Sequence, residues 1–188
     1  MATITAASFS PDTKSVLDAN RRDILGLLLS AALPLAAYVV FHGFAQLNHV
    51  MPLFFAPFGL PGWAGCALYL AALPIYGIAR WMVAEKSADG ASAGWWLVAL
   101  MAGTIVFPFI VAPLDSLALA IISMGLLMVG LGAGIRTARV SRLAGLVMLP
   151  GLAWMGLSAF VGLSFVAGWT PPFGLTNANA NANVSPAA

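Results

Sequence analysis

Apolar residues run along this chain in five long stretches, at about 24–47, 63–84, 94–112, 116–135 and 143–169. A helix rises about 1.5 Å per residue, so about 20 apolar residues cross the hydrocarbon core of a bilayer. None of the stretches alternates apolar and polar residues as a barrel strand would. Lipid leaves helices and closed barrels as the only ways to satisfy backbone polar groups. The pattern therefore predicts an all-α membrane protein, a five-transmembrane-helix bundle over residues 24–169. Residues 1–23 form an N-terminal segment before it, in which 10–22 are expected to start a short surface helix. Asp12, Asp18 and Asp23 interrupt the basic residues there, and the apolar run that follows exceeds the about 7–15 residues of a signal peptide, so the first span is expected to be retained. The tail at 170–188 opens on Pro171-Pro172, alternates Asn with Ala, and is expected to be disordered.

Between the first two spans, 48–62 holds Pro52, Pro57 and Pro61 among several aromatics and no charge. It cannot cross the membrane and is too apolar for a freely solvated loop. It is expected to fold against the end of the bundle as a lid. Pro34, Pro74 and Pro150 fall inside or near the starts of spans, where each removes a backbone donor and can kink a helix.

Charge adds sidedness. All eight basic residues lie on or beside alternate connections: Lys14, Arg21 and Arg22 before the first span, Arg80 and Lys86 at and after the end of the second, and Arg136, Arg139 and Arg142 between the fourth and fifth. Cytoplasmic loops retain Lys and Arg, so the N-terminus is expected in the cytoplasm and the C-terminus on the periplasmic side of a bacterial-type inner membrane. With 61% hydrophobic and 7% charged residues, the apolar side chains must face lipid as well as one another. The small basic excess suits anionic headgroups and lacks the dense stripe that a nucleic-acid partner requires.

Chemistry-bearing side chains are few. His42 and His49 are the only histidines; on one continuous helix they would share a face about 10 Å apart along the axis. That separation is wrong for a shared metal, but either imidazole is a candidate ligand for a haem or (bacterio)chlorophyll, or else an ordinary interfacial hydrogen-bonding histidine. Gln46, one turn from His42, is placed to orient it. Cys66 is the single cysteine and reads as a small buried hydrophobe. The in-span polar residues are Ser30, Thr104, Ser123, Ser158 and Ser164, with Asp115 at a span edge; small hydroxyls return hydrogen bonds to their own helix, so packing is the default reading. No nucleophile–base constellation and no metal-ligand spacing stands out, so catalysis by protein side chains and a metal site are not expected. Gly130-x-x-x-Gly134 and Ser158-x-x-x-Gly162 fit close helix packing, within the bundle or in a homodimer. Most tryptophans sit near span ends, as an interfacial belt would; Trp154 lies deep in the fifth span.

Two stretches go beyond composition. Arg139-Val140-Ser141-Arg142-Leu143-Ala144-Gly145 runs on through Pro150 to Trp154, and Pro61-Gly62-Trp63 is followed by Gly77-Ile78-Ala79-Arg80-Trp81. Both resemble the tryptophan-rich sensory protein family, also called the translocator protein or peripheral benzodiazepine receptor family, over about residues 24–169. The resemblance implies a five-helix bundle, often dimeric, that binds porphyrins and other flat apolar ligands in a cavity beneath the first loop. By position it makes Trp63, Tyr69, Trp154 and Ser158 the candidate ligand-binding residues, with no cofactor required. The chain also departs from the family: the polar pair of helix three maps onto Ala99 and Gly103, and the acidic residue of helix four has no clear match.

Two readings follow. One is a membrane protein that binds a tetrapyrrole or another flat apolar molecule for transport, sensing or storage; some family reports would add degradation of bound porphyrin. The other is a structural subunit or assembly factor of a larger membrane complex, including a photosynthetic pigment–protein complex. Reporter fusions are expected to place 85–93 and 136–142 in the cytoplasm and 48–62 on the opposite side. A cytoplasmic reading at 48–62 would overturn the orientation.

Overall fold

In the computed structural model, residues 13–57, 59–84, 88–112, 114 and 116–169 are described, with side chains from residue 23 onward except at 88, 116 and 165–169. They form five helices: α1 (Thr13–Leu47), α2 (Gly62–Ala84), α3 (Ala88–Ile110), α4 (Ser116–Val140) and α5 (Arg142–Trp169). All five are long and apolar enough to cross a membrane, and there is no strand among the described residues. The chain is an integral membrane protein with an all-α bundle. The expected disorder of 170–188, the role of Asp115 and the start of the N-terminal helix at 10–12 lie outside the described residues.

Three element ends differ from the hydropathy pattern. Residues 13–22 continue without a break into α1 instead of forming a separate surface helix. α3 starts at Ala88, ahead of the expected 94, and α4 runs to Val140, past the expected 135. Hydropathy marks the part of a helix that sits in lipid, whereas hydrogen bonding carries the helix on into the interface. Arg136 illustrates this, with its guanidinium 4.3 Å from the centre of the Trp96 ring on α3. A single residue, Ser141, joins α4 to α5; its N–H donates to Thr137 O at 2.8 Å, and its own carbonyl accepts from Gly145 N–H at 3.1 Å.

The helices form a ring in the order α1, α2, α5, α4, α3, with α2 also packed across it against α3. Buried positions recur at helical spacing: Ala72, Tyr76, Ala79 and Val83 on α2, Leu97, Leu100 and Thr104 on α3, and Ala144, Met148, Leu152 and Met155 on α5. Lipid is as apolar as these side chains, so close fit and polar contacts, not the hydrophobic effect, hold helix to helix. Gly130 supplies such a fit within the bundle: a methyl added there would meet Leu152 at 2.9 Å and Met155 at 3.3 Å, both on α5.

The α1–α2 seam turns on Pro34 and Gly77. Pro34 has no N–H to give to the carbonyl of Ser30, four residues earlier. Gly77 approaches that carbonyl so closely that a side chain at position 77 would run into it. The Ser30 hydroxyl in turn donates to Gly77 O at 2.9 Å. Gly77→Val is therefore expected to cost about 1–3 kcal/mol of stability, read by SDS titration in mixed micelles with circular dichroism. Gly43→Ala, where an added methyl meets open space, should stay within about 0.5 kcal/mol.

Candidate functional site beneath the first loop

α1 stops at Leu47 through a specific cap. Val50 N–H reaches back to Ala45 O at 2.9 Å and His49 N–H to Gln46 O at 3.0 Å, the hydrogen-bond pair of a Schellman motif. His49 occupies the left-handed position of that motif, with φ of 57°. The two histidines therefore do not share a helix face, because the helix has ended before the second. His42 stays on α1, stacked on Tyr38 at 5.9 Å between ring centres and 12° between planes. The Gln46 side-chain amide lies 3.0 Å from His42 Nε2, so Gln46 does orient the ring. His42 Nδ1 is buried with no hydrogen-bond partner among the described residues. A metal-centred pigment would have to displace Gln46 or reach the buried nitrogen.

From Val50 the chain turns back over the bundle end. Leu53 N–H donates to Pro108 O at 2.9 Å, which ties the loop to the last turn of α3. The next two residues point to different partners. Phe54 packs against Tyr38 at 6.5 Å and edge-on against Tyr69 at 5.7 Å. Phe55 meets Trp154 edge-on at 5.8 Å. A turn then closes with Leu60 N–H on Pro57 O at 3.1 Å, with Gly59 at φ 73° supplying a conformation that L side chains rarely adopt.

Between this loop and the ends of α3, α4 and α5 lies a cavity of about 250 Å³. It is lined by Leu53, Phe54 and Phe55 from the loop, Phe107 and Val111 from the end of α3, Leu119 and Ser123 from α4, and Ser158, Val161 and Gly162 from α5. Both lining hydroxyls donate to their own helix, Ser123 to Ala120 O at 3.0 Å and Ser158 to Met155 O at 2.8 Å. Their lone pairs are left to accept. The cavity thus offers aromatic faces, aliphatic walls and two acceptor oxygens, a lining suited to binding by burial and stacking.

Of the four residues expected to line one cavity, only Ser158 does so. Tyr69 and Trp154 stand directly behind it, in contact with the lining residues Phe54 and Phe55. Trp154 also borders a separate groove of about 330 Å³ between α2 and α5, together with Leu68, Ala71 and Ile75. Its indole Nε1 is buried without a hydrogen-bond partner among the described residues. Trp63, at the first turn of α2, is 75% exposed and joins none of these contacts. An exposed indole at a helix end suits the interfacial belt expected from the sequence. Phe54, Phe55 and Phe107 were not singled out by sequence. The apolar, charge-free loop marked the segment, but an aperiodic stretch says nothing about which side chains face inward.

Tyr69 has a further task. Pro108 leaves the carbonyl of Thr104 without its helical donor. The Tyr69 hydroxyl supplies one, donating to Thr104 O at 2.8 Å, while the Thr104 hydroxyl donates to Leu100 O at 2.8 Å. This fastens α2 to α3 directly under the loop. Comparison with family models, curated proteins and solved structures gives no match for this chain.

Tyr69→Phe keeps the ring against Phe54 and removes only that hydrogen bond. It is expected to lower stability by about 1 kcal/mol, measured by the same denaturant titration. An unchanged midpoint would mean that the Thr104 carbonyl finds another donor.

Proposed function

We propose that this protein binds a flat apolar molecule in the cavity beneath its first loop. The observation that carries this reading is the cavity itself: an aromatic and aliphatic chamber with two acceptor oxygens, roofed by a tied, uncharged loop. Ligand pockets are typically about 300–1,000 Å³, so about 250 Å³ suits a small planar molecule. A tetrapyrrole, the ligand class implied by the resemblance to the tryptophan-rich sensory protein family, needs the loop to move outward. Opening would release the Leu53 hydrogen bond, the ring contacts of Phe54 and Phe55, and the seat of Phe55 and Ala56 on Gly65. Each well-placed aromatic pair contributes about 0.5–1.5 kcal/mol beyond burial.

A second reading, a subunit of a larger membrane complex, draws support from α1. Only 11% of its span is buried within the chain, which leaves a long apolar face for lipid or another protein. Co-migration with a large pigmented assembly on extraction from native membranes would favour that role. Migration as a small particle would favour the ligand cavity.

Protoporphyrin IX added to the purified protein in mild detergent is expected to quench tryptophan fluorescence saturably. Phe55→Ala and Ser158→Leu, the latter filling the cavity, should each weaken binding about tenfold, roughly 1.4 kcal/mol. Trp63→Ala should leave affinity unchanged. Absence of saturable binding, for this probe and for smaller planar aromatics, would overturn the reading.

A further inference from the structure

A further concave feature lies at the opposite end of the bundle, on its lipid-facing side. α4 and α5, joined by the single residue Ser141 and closely packed, leave a groove of about 430 Å³ along their outer side. Leu131 and Ile135 form one wall, and Leu146 and Leu149 the other. These four side chains are exposed. The floor is made of small residues. Gly145 sits so close to Ala138 that an added methyl would lie 2.6 Å from its Cβ. Arg142 lines the groove at its closed end.

We propose that this groove is a binding site for one anionic phospholipid of the leaflet on the arginine side. Two independent features select that occupant. The first is length: from Arg142 to Leu152 the lining runs along ten residues of α5, about 15 Å at 1.5 Å per residue, half of a hydrocarbon core about 30 Å thick. An acyl chain of one leaflet fills such a length. The second is charge. Arg142 presents a guanidinium where a headgroup phosphate would sit, and Arg139, in the last turn of α4, stands three residues away. Neither arginine has an ion-pair partner among the described residues, and a guanidinium fork matches a phosphate bidentately. Arg136 takes no part, because its cation rests on the Trp96 ring.

A second copy of the chain fits less well. Subunits with the same sidedness, related by an axis along the membrane normal, would bring the arginine ends of two grooves together. Like charges would then face each other, whereas an anionic headgroup neutralises them.

The test is native mass spectrometry of the full chain, released from mild detergent with equimolar dioleoyl phosphatidylglycerol and dioleoyl phosphatidylcholine. The protein is expected to retain phosphatidylglycerol in preference. Arg142→Gln should lower that preference about fivefold, as one basic residue near a lipid surface predicts, with a smaller loss of phosphatidylcholine, whose phosphate is already neutralised by its own ammonium. Arg136→Gln makes the same change in net charge outside the groove and should behave as the parent protein. Leu146→Trp fills the groove from an exposed wall and should displace bound lipid, with circular dichroism confirming the fold. Equal effects of Arg136→Gln and Arg142→Gln, no headgroup preference in the parent protein, or a lipid-free dimer would each overturn the proposal.

Discussion

A backbone carbonyl stranded in lipid has no water to turn to, and four of the five helices create one by carrying an interior proline: Pro34, Pro74, Pro108 and Pro150. At two of these places the stranded group becomes the point at which the next helix attaches. The Ser30 carbonyl, freed by Pro34, lies against the bare Cα of Gly77. The Thr104 carbonyl, freed by Pro108, accepts the Tyr69 hydroxyl. Both partners sit on α2, so the same requirement fixes α2 against α1 on one flank and α3 on the other. Between apolar helices in an apolar medium, few other interactions have the direction needed to set a register.

The loop inherits its position from the same proline. Pro108 lies close enough to the end of α3 that its own carbonyl is free of the helix ladder, and Leu53 N–H takes it. Tyr69, held by Thr104, offers the ring on which Phe54 leans. The cavity under the loop is therefore the space left when a segment without secondary structure is pinned by a backbone hydrogen bond, by three aromatic contacts and against Gly65 of α2. Its lining comes from four separate parts of the chain, none of which has a motif of its own.

That origin explains what could be read in advance. The five spans were legible because burial in lipid demands an unbroken apolar length, which any window of sequence displays. The folding of the loop against the bundle end was legible because the segment was too apolar for water and too short to cross. Helix ends were not, since Ala88 and Val140 lie in an interface where polar residues and helical hydrogen bonds coexist. The seven-residue spacing of His42 and His49 suggested a shared face, yet a left-handed cap at His49 ends the helix first. Likewise Trp63 and Trp154 were grouped by their positions in the family resemblance, while the structure separates an exposed indole from a half-buried one. The pairing of Tyr69 with Thr104 spans 35 residues and leaves no trace in either segment alone.

The close approach of Gly77 to Ser30 also bears on how the chain enters the membrane. Alone in a bilayer, α1 would carry a carbonyl with neither a helical donor nor water, and each such group costs several kcal/mol in hydrocarbon. α2 brings both the bare Cα that covers this carbonyl and an acceptor for the Ser30 hydroxyl. The first two spans are thus better suited to leave the insertion machinery as a hairpin than one at a time.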